Sequence, residues 1–233
     1  MSKAPTLADR LNKARTTSTP EVSDRAKRGL VAYIGAQPDT ARATKDLADG
    51  TAATGIGRVA LSGLSPQGLA CADGCAFCCI LSGADGGTIT EAEAVALHSA
   101  LAPLAGQPDG RAWHPKACPS LDPETRSCRA YEARPMICRA YVSTDVEACK
   151  SVSEGHAVPG PGTLGPYHTY LAAIGLSRAA LKGVKRVSTY ALAQVAAAAV
   201  DGVSLDDALK RARHKTTELD AELKRSKRDI SRV

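Results

Sequence analysis

The sequence predicts a mostly α-helical fold, a small helical domain around an irregular, cysteine-rich metal-binding core. Three observations carry that expectation. Apolar residues recur in steps of three and four behind Ser or Thr caps, and no stretch alternates long enough to read as a sheet. Aromatic residues are scarce (one Phe, one Trp, six Tyr), so the core must be built from Ala, Leu, Val and Ile, which bury less area per residue. All eight cysteines of the 233-residue chain fall between Cys71 and Cys149. A small core beside many thiols suggests that a metal holds part of the fold together.

Thr6 and Asp9 form a capping arrangement ahead of Leu7, Leu11 and Ala14, which share one helical face. Thr19-Pro20 sets an N-cap before a first-turn proline, and the helix it opens runs to about Ile34, closed by Gly35 and Pro38. A further helix is expected from about Thr40 into the Leu61 region, weakened by Gly50, Gly55 and Gly57. Gly83, Gly86 and Gly87 beside Asp85 mark an irregular stretch. Thr90 and Glu93 then form a capping box for a helix carrying Ala94, Leu97 and Leu101. From Pro103 to Pro123 the chain is rich in Pro and Gly and is not expected to be regular.

In the last segment Ser177 is expected to cap a helix running to Val200, with Leu181, Val184, Val187, Ala191 and Val195 as its stripe and Gly202 as its stop. Ser204 is expected to cap one final helix whose stripe is Leu205, Leu209, Ala212, Thr216, Leu219, Leu223 and Ile230. The expected organisation is therefore an N-terminal helical segment (1–66), a cysteine-cluster metal-binding core (67–150) and C-terminal helices packed on that core (151–233), together one structural domain.

Composition narrows the function classes. With 44% hydrophobic and 23% charged residues the chain is globular rather than disordered. The most apolar run, Tyr190 to Val200, is short and interrupted by Gln194, whereas a spanning helix needs about 20 apolar residues. The first residues, MSKAPTLADRLNKAR, contain no apolar signal region, so a cytoplasmic protein is expected. The net charge of +6 is concentrated at the two ends. Neither end carries an aromatic residue for base stacking, and acidic residues are interspersed, with Asp206–Lys210 and Asp220–Lys224 spaced as helical pairs. Nucleic acid is therefore disfavoured, no membrane association is expected, and an unidentified protein partner or substrate is left open. No acid–base catalyst can be nominated from spacing alone.

The chemistry lies in the cysteines. Cys71-Ala-Asp-Gly-Cys75-Ala-Phe-Cys78-Cys79 puts four thiols in nine residues, with Gly74 allowing a tight bend between them. Thiolates gathered so closely repel one another unless a cation neutralises them. Adjacent Cys78 and Cys79 are expected to point apart, so that they face two metal atoms or divide ligation from another role. Cys118, Cys128, Cys138 and Cys149 supply distant ligands to close the site. Arg126, Arg129, Arg134 and Arg139 interleave with them; a four-thiolate zinc site or a 4Fe–4S cluster on four Cys carries about two negative charges that guanidinium groups would offset. Of these, Arg134 and Arg139 are the expected charge partners, with Pro135 stiffening the approach to Cys138.

The pattern CxxxCxxCC, then CPxL, then CxxYxxRPxxCR resembles the YkgJ-type cysteine-cluster family, a zinc- or iron-chelating domain. The residues that carry it are Cys71, Cys75, Cys78 and Cys79; Cys118, Pro119 and Leu121; and Cys128, Tyr131, Arg134, Pro135, Cys138 and Arg139. The resemblance implies metal binding without fixing a reaction. A flagellin lysine methylase family has a similar cluster, which is an analogy only.

Zinc favours four ligands in paired short knuckles, which this chain lacks, and CxxxCxxC spacing of this kind holds iron–sulfur clusters. Iron is favoured, as a 4Fe–4S cluster, with zinc as the alternative. Two further readings are weaker. Cys71, Cys75 and Cys78 around Phe77 are similar to the radical S-adenosylmethionine signature, but the strand pattern of that barrel is missing. Cys75-Ala-Phe-Cys78 as a thioredoxin-like pair lacks its βαβ context. Two function classes follow: a redox or enzymatic protein built on iron, or a structural zinc protein whose helical surface binds a protein or nucleic-acid partner.

Overall fold

The computed structural model describes residues 5–81 and 85–230; Gly83 of the glycine-rich stretch, and Lys3 and Arg232 at the basic ends, lie outside the described residues. Among the described residues the fold is mostly α, with short strands only. It divides into two compact units. One comprises the chain up to Gly63, Gly165–Thr189, and the chain from His214 on; the other comprises Leu64–Leu164 and Tyr190–Arg213. The C-terminal third thus contributes to both.

The first unit is a helical bundle: α1 (Leu7–Lys13), α2 (Pro20–Gly35), α3 (Thr40–Asp49), α4 (Thr51–Ser62), α9 (Gly165–Ala180) and α12 (Thr216–Ile230). Both signals at its start are realised. Thr6 and Asp9 form the reciprocal capping box of α1, and Thr19 accepts from the Val22 N–H with Pro20 in the first turn of α2. The helix expected from Thr40 is split in two by Gly50, whose φ of 86° is left-handed and so favours glycine. Helix α9 is buried on nearly every side, as suits the central member of a bundle, and packs against α1, α2, α3, α4 and α12.

The second unit carries every cysteine. After a 3₁₀ turn (Phe77–Cys79) come β1 (Thr88–Thr90), α5 (Glu91–Leu101), α6 (Gly110–Trp113), α7 (Met136–Ala140), β2 (Tyr141–Val142), α8 (Val146–Ser153), β3 (Gly162–Thr163), β4 (Thr189–Ala191), α10 (Leu192–Val200) and α11 (Leu205–Ala212). Strand β1 pairs with β4, and β2 runs antiparallel to β3 with Tyr141 opposite Thr163. Helices α5, α10 and α11 pack together around Ile89, Ala94, Leu97, Leu101, Val195 and Ala212. Tyr190 is buried in the same cluster and donates its hydroxyl to Glu91 at 2.9 Å. These helices form the wall against which the cysteine segment lies.

Two expected elements are corrected. Ser177 does not cap a helix to Val200: it is buried inside α9, which starts twelve residues earlier at Gly165. The chain leaves the helix after Ala180, turns at Gly183 (φ 78°), and returns extended as β4 before α10. Strand pairing with β1, and the Leu192 N–H bond to the Gly87 carbonyl at 3.0 Å, outweigh the helical spacing of Val184, Val187 and Ala191. The final helix is likewise two. Ser204 does cap α11, but Arg213 bridges to Tyr190 and the His214 N–H bonds the Thr189 carbonyl, so α12 begins afresh at Thr216. Charge pairing differs from expectation too: Lys210 meets Asp207, and Asp220 meets Arg178 of α9. Among the described residues, no helix is long and apolar enough to cross a membrane.

Candidate metal centre

The first cysteine loop is held at both ends. The Ala70 N–H bonds the Ser143 carbonyl at 2.9 Å, and the Cys71 thiol lies 3.8 Å from the same oxygen. At the other end the Leu81 N–H bonds the Lys116 carbonyl, Ile80 bridges to Ala117, and the Cys118 N–H bonds the Cys79 carbonyl at 2.8 Å. Between these anchors Gly74 is left-handed (φ 74°), and a Cβ there would stand 3.0 Å from the Thr125 carbonyl oxygen. Ala76 is also left-handed (φ 53°) and turns the chain into the 3₁₀ helix of Phe77, Cys78 and Cys79.

That turn overrides the expectation that Cys78 and Cys79 point apart. Their sulfurs lie 4.0 Å from each other. Successive side chains on a 3₁₀ helix are about 120° apart, not opposed as in a strand.

The second group arrives on its own turns. Asp122 accepts from the Glu124 and Thr125 N–H groups, and Leu121 bridges to Cys128 across this turn. The Ser127 hydroxyl donates to Asp73 at 2.7 Å and stitches the two loops together. Gly110 lets the head of α6 pass beside Cys118, since a Cβ there would collide with the Cys118 carbonyl oxygen. Cys138 rides on α7, and Cys149 on α8, which packs against the 3₁₀ turn. Asp145 caps α8 by accepting from the Glu147 and Ala148 N–H groups.

All eight cysteines are free thiols in this arrangement. Cys79 is within electrostatic reach of Cys78, Cys118 and Cys138, Cys138 of Cys128 as well, and Cys149 of Cys71, Cys75 and Cys78. The structure therefore brings the sequence-distant thiols to one region. Among the described residues, no group of three or more Cys, His, Asp or Glu side chains is drawn close enough to hold an ion as it stands. His114, the histidine nearest Cys118 in sequence, instead accepts from the Lys116 N–H.

Protonation follows burial. Burial pushes Cys118, Cys128 and Cys138 up, Cys138 well above the usual thiol value. Cys78 moves the other way, to about 7, because the Cys79 thiol donates to it and Arg134 lies nearby; the same bond pushes Cys79 up.

The arginines divide. Arg139 donates to the carbonyls of Arg134 (2.8 Å) and Glu132 (2.5 Å), bracing the loop ahead of α7. Arg134 lies over the Tyr131 ring at 3.7 Å and acts electrostatically on Cys78, Cys128 and Cys138. Arg129, which sequence reasoning named only among the interleaved arginines, acts on Cys128. The Nε of Arg134 and the Nε and Nη2 of Arg129 are buried with no hydrogen-bond partner. Unpaired buried guanidinium N–H groups are costly, and beside thiols they fit an anionic acceptor. Ser143, which orders both Cys71 and the approach to α8, carries no signal in the local sequence.

These residues fit a thiolate-bound metal on donor chemistry: reduced cysteines converging on one region, with cationic N–H donors buried beside them. No curated protein and no solved structure matches the chain. Residues 70–155, a little over a third of the chain, match the family model CxxCxxCC, "Putative zinc- or iron-chelating domain", in a span that takes in all eight cysteines and ends just beyond α8. The eight-cysteine segment of this chain is therefore similar to a zinc- or iron-chelating CxxCxxCC domain, which supports metal binding by these thiols.

Proposed function

We propose that the chain holds iron through this domain, as iron–sulfur of the 4Fe–4S type, and that its ligands are drawn from Cys71, Cys75, Cys78, Cys79, Cys118, Cys128, Cys138 and Cys149. The observation that carries this reading is the pair Arg129 and Arg134, whose buried N–H groups lack partners beside Cys128 and Cys138. A cluster with four thiolates bears net negative charge and presents sulfur acceptors to such donors. When bound, a cluster supplies one-electron chemistry; the chain's own residues set its charge and access. Arg129 and Arg134 offset the anionic sulfur, the α5–α10–α11 wall excludes water on one side, and the first loop, with Cys71 and Cys78 exposed, leaves the other side open. Openness of that kind supports a redox or enzymatic role over a purely structural one.

The test is metal and acid-labile sulfide content of the anaerobically purified chain, with its visible spectrum. Iron and sulfide in similar amounts in a brown protein support the reading. A colourless protein containing zinc overturns it in favour of a structural zinc site. Iron without sulfide overturns the cluster while keeping the metal.

A further inference from the structure

The eight thiols fall into two sets that differ in their surroundings. Cys118 belongs to the buried apolar cluster formed with Leu97, Leu101 and Val195, and Cys79, Cys128 and Cys138 pack against it. The backbone binds this set together through the Cys118 N–H to Cys79 carbonyl bond and the Leu121–Cys128 bridge. Arg129 and Arg134, with their unpartnered N–H groups, act on Cys128 and Cys138. Cys71, Cys75, Cys78 and Cys149 are not in that cluster. Ser143 touches two of them, its carbonyl holding Ala70 and Cys71 and its side chain bonding Cys149, while α8, which carries Cys149, packs on the turn that carries Cys78 and Cys79. Cys71 and Cys78 are exposed, and Cys149 responds electrostatically to Cys75, Cys71 and Cys78.

Resting on the reading that these cysteines ligate metal, we propose that they build two neighbouring four-thiolate centres: an inner one on Cys79, Cys118, Cys128 and Cys138, and an outer one on Cys71, Cys75, Cys78 and Cys149. The 4.0 Å approach of Cys78 to Cys79 places the join between them. The division uses every cysteine, and four ligands is the complement of both tetrahedral zinc and a 4Fe–4S cluster. Arg129 acts on the inner thiol Cys128, and Arg134 acts on Cys128 and Cys138 and, at the join, on Cys78; burial makes an uncompensated anion most costly at the inner centre. The outer centre has solvent to screen its charge.

Metal content per chain decides the matter, measured by elemental analysis with sulfide on the full chain and on Cys149→Ser and Cys118→Ser, with circular dichroism confirming that each is folded. The full chain should carry two centres, read as two zinc ions or as eight iron with eight sulfide. Cys149→Ser should halve the count, and Cys118→Ser should halve it independently, so that the double variant carries none. If Cys118→Ser fails to fold, Cys128→Ser serves in its place. One centre in the full chain overturns the division while leaving metal binding intact. So does a folded Cys149→Ser chain that keeps all its metal or loses all of it. A full chain that takes up no metal even on reconstitution overturns the underlying reading itself.

Discussion

The backbone N–H of Met136 donates to Glu93 Oε1 at 2.8 Å, so the residue that caps α5 also fixes the first turn of α7. Oε2 of the same carboxylate accepts from the Thr90 N–H and hydroxyl, and Glu93 and Met136 are both buried. Cys138 sits two residues after Met136, so its place depends on this bond. Glu93→Ala removes a cap, worth about 1 kcal/mol, and strands a buried N–H, worth about 1–3 kcal/mol. We expect urea unfolding to show a loss of about 2–4 kcal/mol. Glu93→Gln keeps one acceptor but turns an NH₂ toward the other donor, so its loss should be smaller and still measurable.

That pair also marks how far the sequence could be read. The capping box of Thr90 and Glu93 was legible because its signal lies within four residues; the long-range bond to Met136 has none. The same contrast runs through the chain. Thr6–Asp9, Thr19-Pro20 and Ser204 act where they stand, because caps are satisfied locally. Val184 and Ala191 were misread, because an Ala/Val stripe has the same spacing whether or not the helix continues; Val184 is in fact 59% exposed, and Ala191 is buried in β4. At the metal site the cysteines announced themselves by density. Their grouping did not, because it depends on which thiols lie against the α5–α10–α11 wall. Arg129 and Ser143 were equally hidden, since their roles come from distant partners.

Arg134 separates metal binding from fold stability. In the metal-free chain its buried Nε has no acceptor, which costs stability. Beside a thiolate-bound metal the same group donates to sulfur and offsets charge. Arg134→Gln should therefore lower metal affinity about tenfold or more, as loss of an outer-shell donor does. The unfolding midpoint of the metal-free variant should stay level or rise. Competition against a chelator reads the first effect and denaturation the second; a variant that loses both would mean that Arg134 only holds the loop through Tyr131.

Cys78 is expected to be the most reactive thiol of the metal-free chain. Its value of about 7, set by donation from Cys79, leaves it substantially ionised at neutral pH while the buried thiols stay protonated. Alkylation followed by peptide mass mapping should find Cys78 modified first, at a rate rising to half its maximum near pH 7. Cys79→Ala removes the donor and should move that midpoint up toward the usual thiol value of 9. Bound metal should protect Cys78 at every pH where the site is loaded.

The helical bundle carries its own pH dependence at His168. This imidazole is buried in α9, and its Nδ1 lies 2.7 Å from the Ser226 hydroxyl of α12. Burial lowers its proton affinity below the ordinary value of 6.5, and the attraction of Asp229 only partly restores it. The folded chain therefore refuses a proton that the unfolded chain accepts, so the unfolded state binds more protons below 6.5. Stability from this residue is complete above that value and is lost as pH falls through the folded value. Urea midpoints measured at pH 7 and pH 5 should differ in that direction. His168→Gln, which retains a polar partner for Ser226 but cannot titrate, should be less stable at neutral pH and show a shallower loss on acidification. An unchanged slope in that variant would assign the acid sensitivity to other groups.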